Sequence, residues 1–394
     1  MRWLGKRVDL AEGLIYSVIN TTKRKGKIKM SEKKLGVLVH GAGWVSTQHI
    51  KAFETNPHTE VVAISSRRLT SCQARATEAG LEDIGLYDNY EHALKHDGVD
   101  IVAVCTPQYL HAENTIAAAE SGRHVVIEKP IANSLEEIRA MRDAIRAAEV
   151  KTIVSFVLRW NPLFETLKAM VADNAIGDPY FVETDYQHDI ASWWTGYEDA
   201  RKKSTGVSAM ITGGCHAADS LRWFAAKGEY EAADPVEVFA YSGGYRKGVS
   251  EEYDYFTSQW QEAPPLEYDD FEICLVKFAN GVLGKVSVNY GCIMPYTFPL
   301  EIFGNRGSIK DNRVWSHKYP GQNGWVEVPA ILPDSADVTH HPFQGQMDHF
   351  VDCILNDRES HCNLEDAIKT HEIAFAALQC YETGQPVQLP LLSG

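Results

Sequence analysis

Five short runs rich in valine and isoleucine recur between residues 35 and 160, and stretches with helical spacing separate them. The runs are LGVLVH from Leu35, EVVAISSRR (60–68), VDIVAVCTP (99–107), RHVVIEKP (123–130) and VKTIVSFVLRW (150–160). The intervening stretches, such as HAENTIAAAESG (111–122) and SLEEIRAMRDAIRAAEV (134–150), space apolar residues three and four apart. Strands that alternate with helices build βαβ units, and these close only into a parallel sheet covered on both faces. Past Phe156 the pattern changes to longer amphipathic strands: PYFVETDYQHD (179–189), PVEVFAYSGG (235–244), DFEICLVKFANG (270–281) and VLGKVSVNYG (282–291). The ANG step between the last two is a hairpin signal. Helices are expected near 207–226, 342–356 and 364–383, and the polar, aromatic stretch 245–270 is expected to be a loop or lid.

At 394 residues the chain exceeds what one core usually serves. The fold expected is α/β: a Rossmann dinucleotide-binding domain over 33–155, then an α+β domain with a large, mostly antiparallel open sheet over 156–394. Residues 1–32 mix apolar and charged side chains and include the basic run TTKRKGKIK. They lack the unbroken apolar core of a secretory signal and are expected to form a poorly ordered extension.

GAGWVS (41–46) follows the first strand and opens a helix, the context a dinucleotide fingerprint requires. Gly41 allows the tight turn and Gly43 lets the backbone approach a pyrophosphate. Trp44 and Val45 lead into a helix N-terminus that faces the anion. Ser46 stands where a third glycine often sits. The second strand ends in Ser65, Ser66 and Arg67, with no acidic residue to hold the ribose hydroxyls. Serine and arginine there can hold a 2′-phosphate, so NADP is slightly favoured over NAD. Thr106, Pro107, Tyr109 and His111 follow the carboxyl end of a strand, where ligands bind in open α/β sheets.

A formal net charge of -15 argues against nucleic acid, whose phosphates demand a basic face. No apolar run is long enough to span a bilayer. The eight cysteines are scattered, with no CxxC pair and no metal spacing, which points to reduced thiols in the cytoplasm and to no metal site.

The stretch VVIEKPIANS (125–134) carries an apolar strand up to Glu128, Lys129 and Pro130. A strand-terminal salt bridge with proline as punctuation would explain it. A buried ammonium kept for chemistry would explain it too. GAGWVS, TPQYLH (106–111), EKPIA (128–132), RWNP (159–162), IGDP (176–179), GCHAAD (214–219) and EIFGNRGSI (301–309), in this order, resemble the Gfo/Idh/MocA oxidoreductases, and the resemblance spans roughly residues 34–391.

The resemblance implies an NAD(P)-dependent dehydrogenase or reductase of a sugar, cyclitol or glycoside. Lys129 would lie beside the nicotinamide and the substrate hydroxyl, and Glu128 would belong to the cofactor-binding turn. It also implies a helix bearing an aspartate, then a histidine one turn later, then a second aspartate. His216 and Asp219 match, whereas Thr212 stands at the first aspartate. His216 then becomes the general base, assisted by Lys129. Arg159, Trp160, Thr212, Asp219, Trp193 and Tyr109 are the candidate substrate-binding groups, Trp193 and Trp194 because aromatic faces stack on sugar rings. His340 and His341 could reach the site or simply precede a helix. The family also implies a homo-oligomer, dimer or tetramer. Oxidation of a glycoside to a 3-keto sugar is the attractive subtype; a redox-neutral glycosidase that retains its cofactor and a non-catalytic NAD(P)-binding regulator are the alternatives.

Overall fold

The valine and isoleucine runs of the first half are apolar on both sides, and the structure buries them on both sides. The computed structural model describes residues 34–254, 257–329 and 342–392. The leader 1–32 and the pair His340 and His341 lie outside the described residues. Strands β1 (Leu35–His40), β2 (Thr59–Ser65), β3 (Gly85–Tyr87), β4 (Val99–Val104), β5 (His124–Ile127) and β6 (Thr152–Val154) pair in the order β3-β2-β1-β4-β5-β6. Every pairing is parallel. Helices α1 (Ser46–Thr55), α2 (Leu69–Ala79), α3 (Tyr90–Leu94), α4 (His111–Glu120) and α5 (Leu135–Ala148) make the crossovers. The strand order reverses between β1 and β4, so a crevice opens there at the carboxyl ends of the strands.

Helix α6 (Pro162–Ala172) starts from Asn161, whose side chain accepts from the amides of Leu163 and Phe164. Strand β7 (Pro179–Gln187) then begins the second sheet. It is followed by α7 (Tyr197–Ala200), α8 (Cys215–Ala225), β8 (Pro235–Gly243), the hairpin β9 (Glu251–Asp254) and β10 (Gln259–Glu262), β11 (Phe271–Phe278) and β12 (Leu283–Asn289). The chain continues through β13 (Leu300–Gly304), β14 (Gly307–Lys310), β15 (Arg313–Ser316), β16 (Val326–Glu327), α9 (Phe343–Leu355), α10 (Leu364–Thr383) and β17 (Val387–Gln388). Among the described residues nine strands form one sheet in the order β16-β15-β14-β13-β7-β12-β11-β8-β17. Only β7 with β12 is a parallel pair.

Alternation decides the two faces of this sheet. Val182, Thr184 and Tyr186 of β7, Cys274 and Val276 of β11, and Val286 and Val288 of β12 are buried beneath α8 and α10. On the opposite face lie Tyr241, Leu275, Leu283 and Trp315, all exposed, around a Lys285 ammonium that bonds Glu183 at 2.9 Å and Asp185 at 2.7 Å. The hairpin expected at Ala279–Gly281 joins β11 to β12. Within the stretch 245–270, β9 and β10 pair and bury Glu252 against Ser192 and Arg246. All eight cysteines are free thiols, and among the described residues no helix is long and apolar enough to cross a membrane.

Candidate active site

At the switch point, Gly41 has φ +110°, a conformation that L side chains rarely adopt, and a Cβ there would meet the Cys105 carbonyl oxygen at 2.3 Å. A Cβ on Gly43 would meet nothing within 4 Å, so this glycine faces open space. Ser46 is buried, and its hydroxyl donates to the Gly43 carbonyl at 2.5 Å, closing the turn where a third glycine would pack. No side chain caps α1 and no acid occupies its first turn; the amides of Thr47 and Gln48 donate to the carbonyls of Trp44 and Val45, and the positive end of the helix faces the turn. Trp44 is exposed and Val45 half-buried at this edge. A dinucleotide fits such a turn, with Gly41, Gly43, Trp44 and Val45 as the groups that would hold its pyrophosphate.

At the end of β2, Ser65 is buried and bonded to His40 Nδ1 at 2.7 Å, while Ser66 is half-buried and Arg67 is exposed. Thr106 and Pro107 are half-buried after β4, and Thr106 Oγ1 accepts from Asn114 at 3.1 Å. Tyr109 is half-buried in the short 3-10 turn that follows.

Three buried histidines grip the turn after β5. His49 Nε2 lies 2.7 Å from Glu128 Oε1, and the Lys129 amide donates to Glu128 Oε2 at 3.2 Å. Burial opposes charge on both partners, yet the pairing outweighs it: Glu128 stays below the usual carboxylate range, and His49, between Cys105 and Glu128, is pushed up to about 10. His111 Nδ1 lies 2.6 Å from the Pro130 carbonyl oxygen and Nε2 2.8 Å from that of Thr106, and the neutral ring donates to one of the two. Burial pulls the His111 pKa down while the two carbonyls push it up, and burial prevails. His371 on α10 accepts the Ile131 amide at 3.0 Å. The Lys129–Pro130 peptide is cis. Glu128 and His111, expected from sequence among the cofactor-binding groups, are buried and bonded within this internal frame, where they hold the turn.

Lys129 itself is half-buried, and its ammonium donates to the Thr212 carbonyl at 3.3 Å. That carbonyl belongs to a π-helical turn, Met210–Gly214, which runs into α8. The glycines are there for packing: a Cβ on Gly213 would sit 2.5 Å from the Tyr290 hydroxyl and 3.0 Å from the Tyr186 ring, and one on Gly214 would sit 2.7 Å from the Met210 sulfur. The Thr212 hydroxyl donates to the Gly206 carbonyl at 2.7 Å, so it is turned to the preceding loop. His216 follows one turn later, 3% exposed, with its ring parallel to Tyr186 and edge-on to Phe156 and Phe298. Thr184 of β7 bonds the Ala217 carbonyl at 2.8 Å and ties this segment to the sheet.

Sequence reasoning named Trp193 but not Tyr186, His188 and Tyr296, which stand with it beside His216. Tyr186 Oη lies 3.0 Å from His188 Nδ1, His188 stacks on Tyr296 at 4.0 Å, and Trp193 is 5.9 Å from His188. Period-two alternation along β7 puts Tyr186 on the face of Val182 and Thr184, and that was the available signal. Asp189, next along, is pushed up to about 6 by burial. Arg159, Asp219 and Trp160, expected from sequence among the substrate-binding groups, lie together in a buried cluster. Arg159 binds Asp219 through two bonds at 2.7 and 2.6 Å, Asp366 at 2.6 Å and the His361 carbonyl at 2.6 Å. Trp160 stacks on His361 at 5.2 Å. Four of the five N–H groups of this buried guanidinium are spent on these partners, and the cluster is interior structure.

Residues 35–156 match the family model "Oxidoreductase family, NAD-binding Rossmann fold", and residues 164–310 match "GFO/IDH/MocA C-terminal domain". The chain belongs to the GFO/IDH/MocA oxidoreductases. The scyllo-inositol 2-dehydrogenase (NAD(+)) of Bacillus subtilis is 24% identical over 361 residues, covering 91% of this chain and 97% of its own. The D-glucoside 3-dehydrogenase of Escherichia coli is 32% identical over 155 residues, 39% of this chain and 44% of its own. A levoglucosan dehydrogenase solved with NADH and levoglucosan superposes with a TM-score of 0.76 at 21% identity, over 91% of this chain and 100% of its own. Lys129 here meets a backbone carbonyl of the π turn at Thr212.

Proposed function

We propose that the chain is an NAD(P)-dependent dehydrogenase of a secondary alcohol on a sugar, cyclitol or glycoside, with His216 as the general base and Lys129 as the group that polarises the hydroxyl. The observation that carries this reading is the Lys129 ammonium seated on the Thr212 carbonyl, one turn before His216, beside the glycine turn at the strand ends. A nicotinamide dinucleotide held at that turn supplies the two-electron chemistry.

The chain's own residues do the rest. Lys129 donates to the substrate oxygen and favours its anionic form, and imidazole at His216 takes the proton near neutral pH. Tyr186, His188, Trp193 and Tyr296 form an aromatic wall suited to a pyranose face. Similarity to a glucoside 3-dehydrogenase supports oxidation at a ring carbon to a 3-keto sugar. Ser66 and Arg67 at the end of β2, with no acid beside them, support NADP over NAD. The exposed apolar face of the nine-stranded sheet supports a homo-oligomer.

The test is turnover with a panel of sugars, cyclitols and glycosides, followed by the absorbance of reduced nicotinamide. Lys129→Ala and His216→Ala are each expected to lower kcat by about 10² to 10⁴-fold with the fold intact. Wild-type turnover in both variants would overturn the assignment. Cleavage of a glycoside with no lasting absorbance change would favour the redox-neutral glycosidase.

A further inference from the structure

We propose that α10 sets the spacing of Lys129 and His216 through its adjacent residues Thr370 and His371. This rests on the reading of Lys129 and His216 given above. Thr370 Oγ1 donates to Asp219 Oδ1 at 3.1 Å, and Asp219 lies three residues beyond His216 on α8. His371 Nε2 accepts the amide of Ile131 at 3.0 Å, two residues beyond Lys129, and its Nδ1 donates to the Ala367 carbonyl at 3.3 Å. One helix thus bonds both catalytic segments from consecutive positions.

The links are stiff. Thr370, His371 and Ile131 are 0% exposed and Asp219 is 1% exposed. A buried amide left without its acceptor costs about 1–3 kcal/mol, so the Ile131 backbone is not free to drift. Asp219 is also fixed by Arg159, and Arg222 donates to Thr370 at 2.8 Å and to Asp366 at 2.7 Å, so α10 is bolted to α8 over a full turn. A packing path runs alongside: the Phe156 ring lies 5.7 Å from His371 and 6.2 Å from His216. Neither Thr370 nor His371 is offered here as touching substrate; both are positioning residues.

The test compares His371→Leu, His371→Gln and Thr370→Val with the wild type for kcat, for sugar KM and for the affinity of reduced dinucleotide by fluorescence. Gln carries an amide oxygen that can accept the Ile131 N–H, whereas Leu cannot. His371→Leu is expected to lower kcat by about 10²-fold, with dinucleotide affinity kept within about twofold, because small misplacements of reacting groups carry costs of that size. His371→Gln is expected to recover at least about tenfold of the loss, and Thr370→Val to lower kcat by about tenfold at unchanged affinity. The proposal falls if His371→Leu keeps wild-type kcat, or if it loses kcat and dinucleotide affinity together with no recovery in His371→Gln. Should His371→Leu fail to fold, Thr370→Val decides: wild-type kcat overturns the proposal, and reduced kcat at unchanged affinity supports it. Lys129→Ala and His216→Ala run in parallel. Wild-type turnover in those two brings down the functional reading and the positioning with it, while loss in them beside an active His371→Leu brings down the positioning alone.

Discussion

Arg67 and His216 show how differently two candidate site residues are held. Arg67 stands exposed just past β2, while His216 is walled in by Phe156, Tyr186 and Phe298. Arg67 therefore tests cofactor choice cleanly. Arg67→Ala is expected to raise KM for NADP by about tenfold or more and to leave KM for NAD nearly unchanged, since a lost contact to a 2′-phosphate is a charge-assisted one. Steady-state kinetics with both dinucleotides checks this, and equal effects on the two would remove the basis for preferring NADP. Lys129 and His216 were singled out because their sequence neighbours carry the pattern of the resemblance. The true partners of Arg159 were not. Asp219 lies 60 residues away and Asp366 207 residues away, and nothing local in RWNP distinguishes an arginine aimed at substrate from one locked in an ion-pair cluster.

At the scale of elements, the π turn Met210–Gly214 is the least readable feature and the most consequential. The spacing over 207–226 predicts a continuous helix; in the π turn Gly213 lies so close to Tyr186 of β7 and to Tyr290, just past β12, that a side chain there would clash with both. Gly213→Ala is expected to cost about 1–3 kcal/mol by overpacking and to lower activity through Lys129. Thermal melts alongside kcat measure it, and an unshifted Tm would contradict the contact.

Glu272 braces the start of the same turn. It accepts from the Ala209 amide at 2.9 Å and from the Tyr381 hydroxyl at 2.8 Å, and burial pushes its pKa up from 4.5 to about 7. A raised carboxyl pKa favours the fold below the unfolded value and loses that advantage as pH rises through about 7. Relative to Glu272→Gln, the wild type should therefore lose about 3 kcal/mol between pH 4.5 and 7 and little above it. Melts of both proteins across that range decide, and parallel curves would mean that Glu272 titrates normally. Sequence could not place Glu272, because FEICLVKF is apolar on both faces and either register reads as buried.

For the whole molecule, the alternation of Val/Ile runs with helical segments sufficed to read the parallel sheet and its crevice, since few arrangements bury such runs. The second sheet was legible as strands but not in its order, because β7 pairs with β12 and β13, partners that only tertiary packing selects. Its outer face carries the remaining expectation. Light scattering should report a dimer or larger, and Leu275→Glu with Tyr241→Glu should shift the mass toward the monomer without loss of dinucleotide binding. A monomeric wild type would refute it.

The two sides of that sheet are one residue apart in β7. Asp185 points out to Lys285 and Ser287, and Tyr186 points in toward His188 and His216. The strand is a party wall: one stretch of backbone carries the partner of Lys285 on its outside and the ring beside His216 within. Were a second copy to seat on the outside, dilution and substrate saturation would become two handles on a single strand, and any grip one exerts on the other would be returned by the same factor.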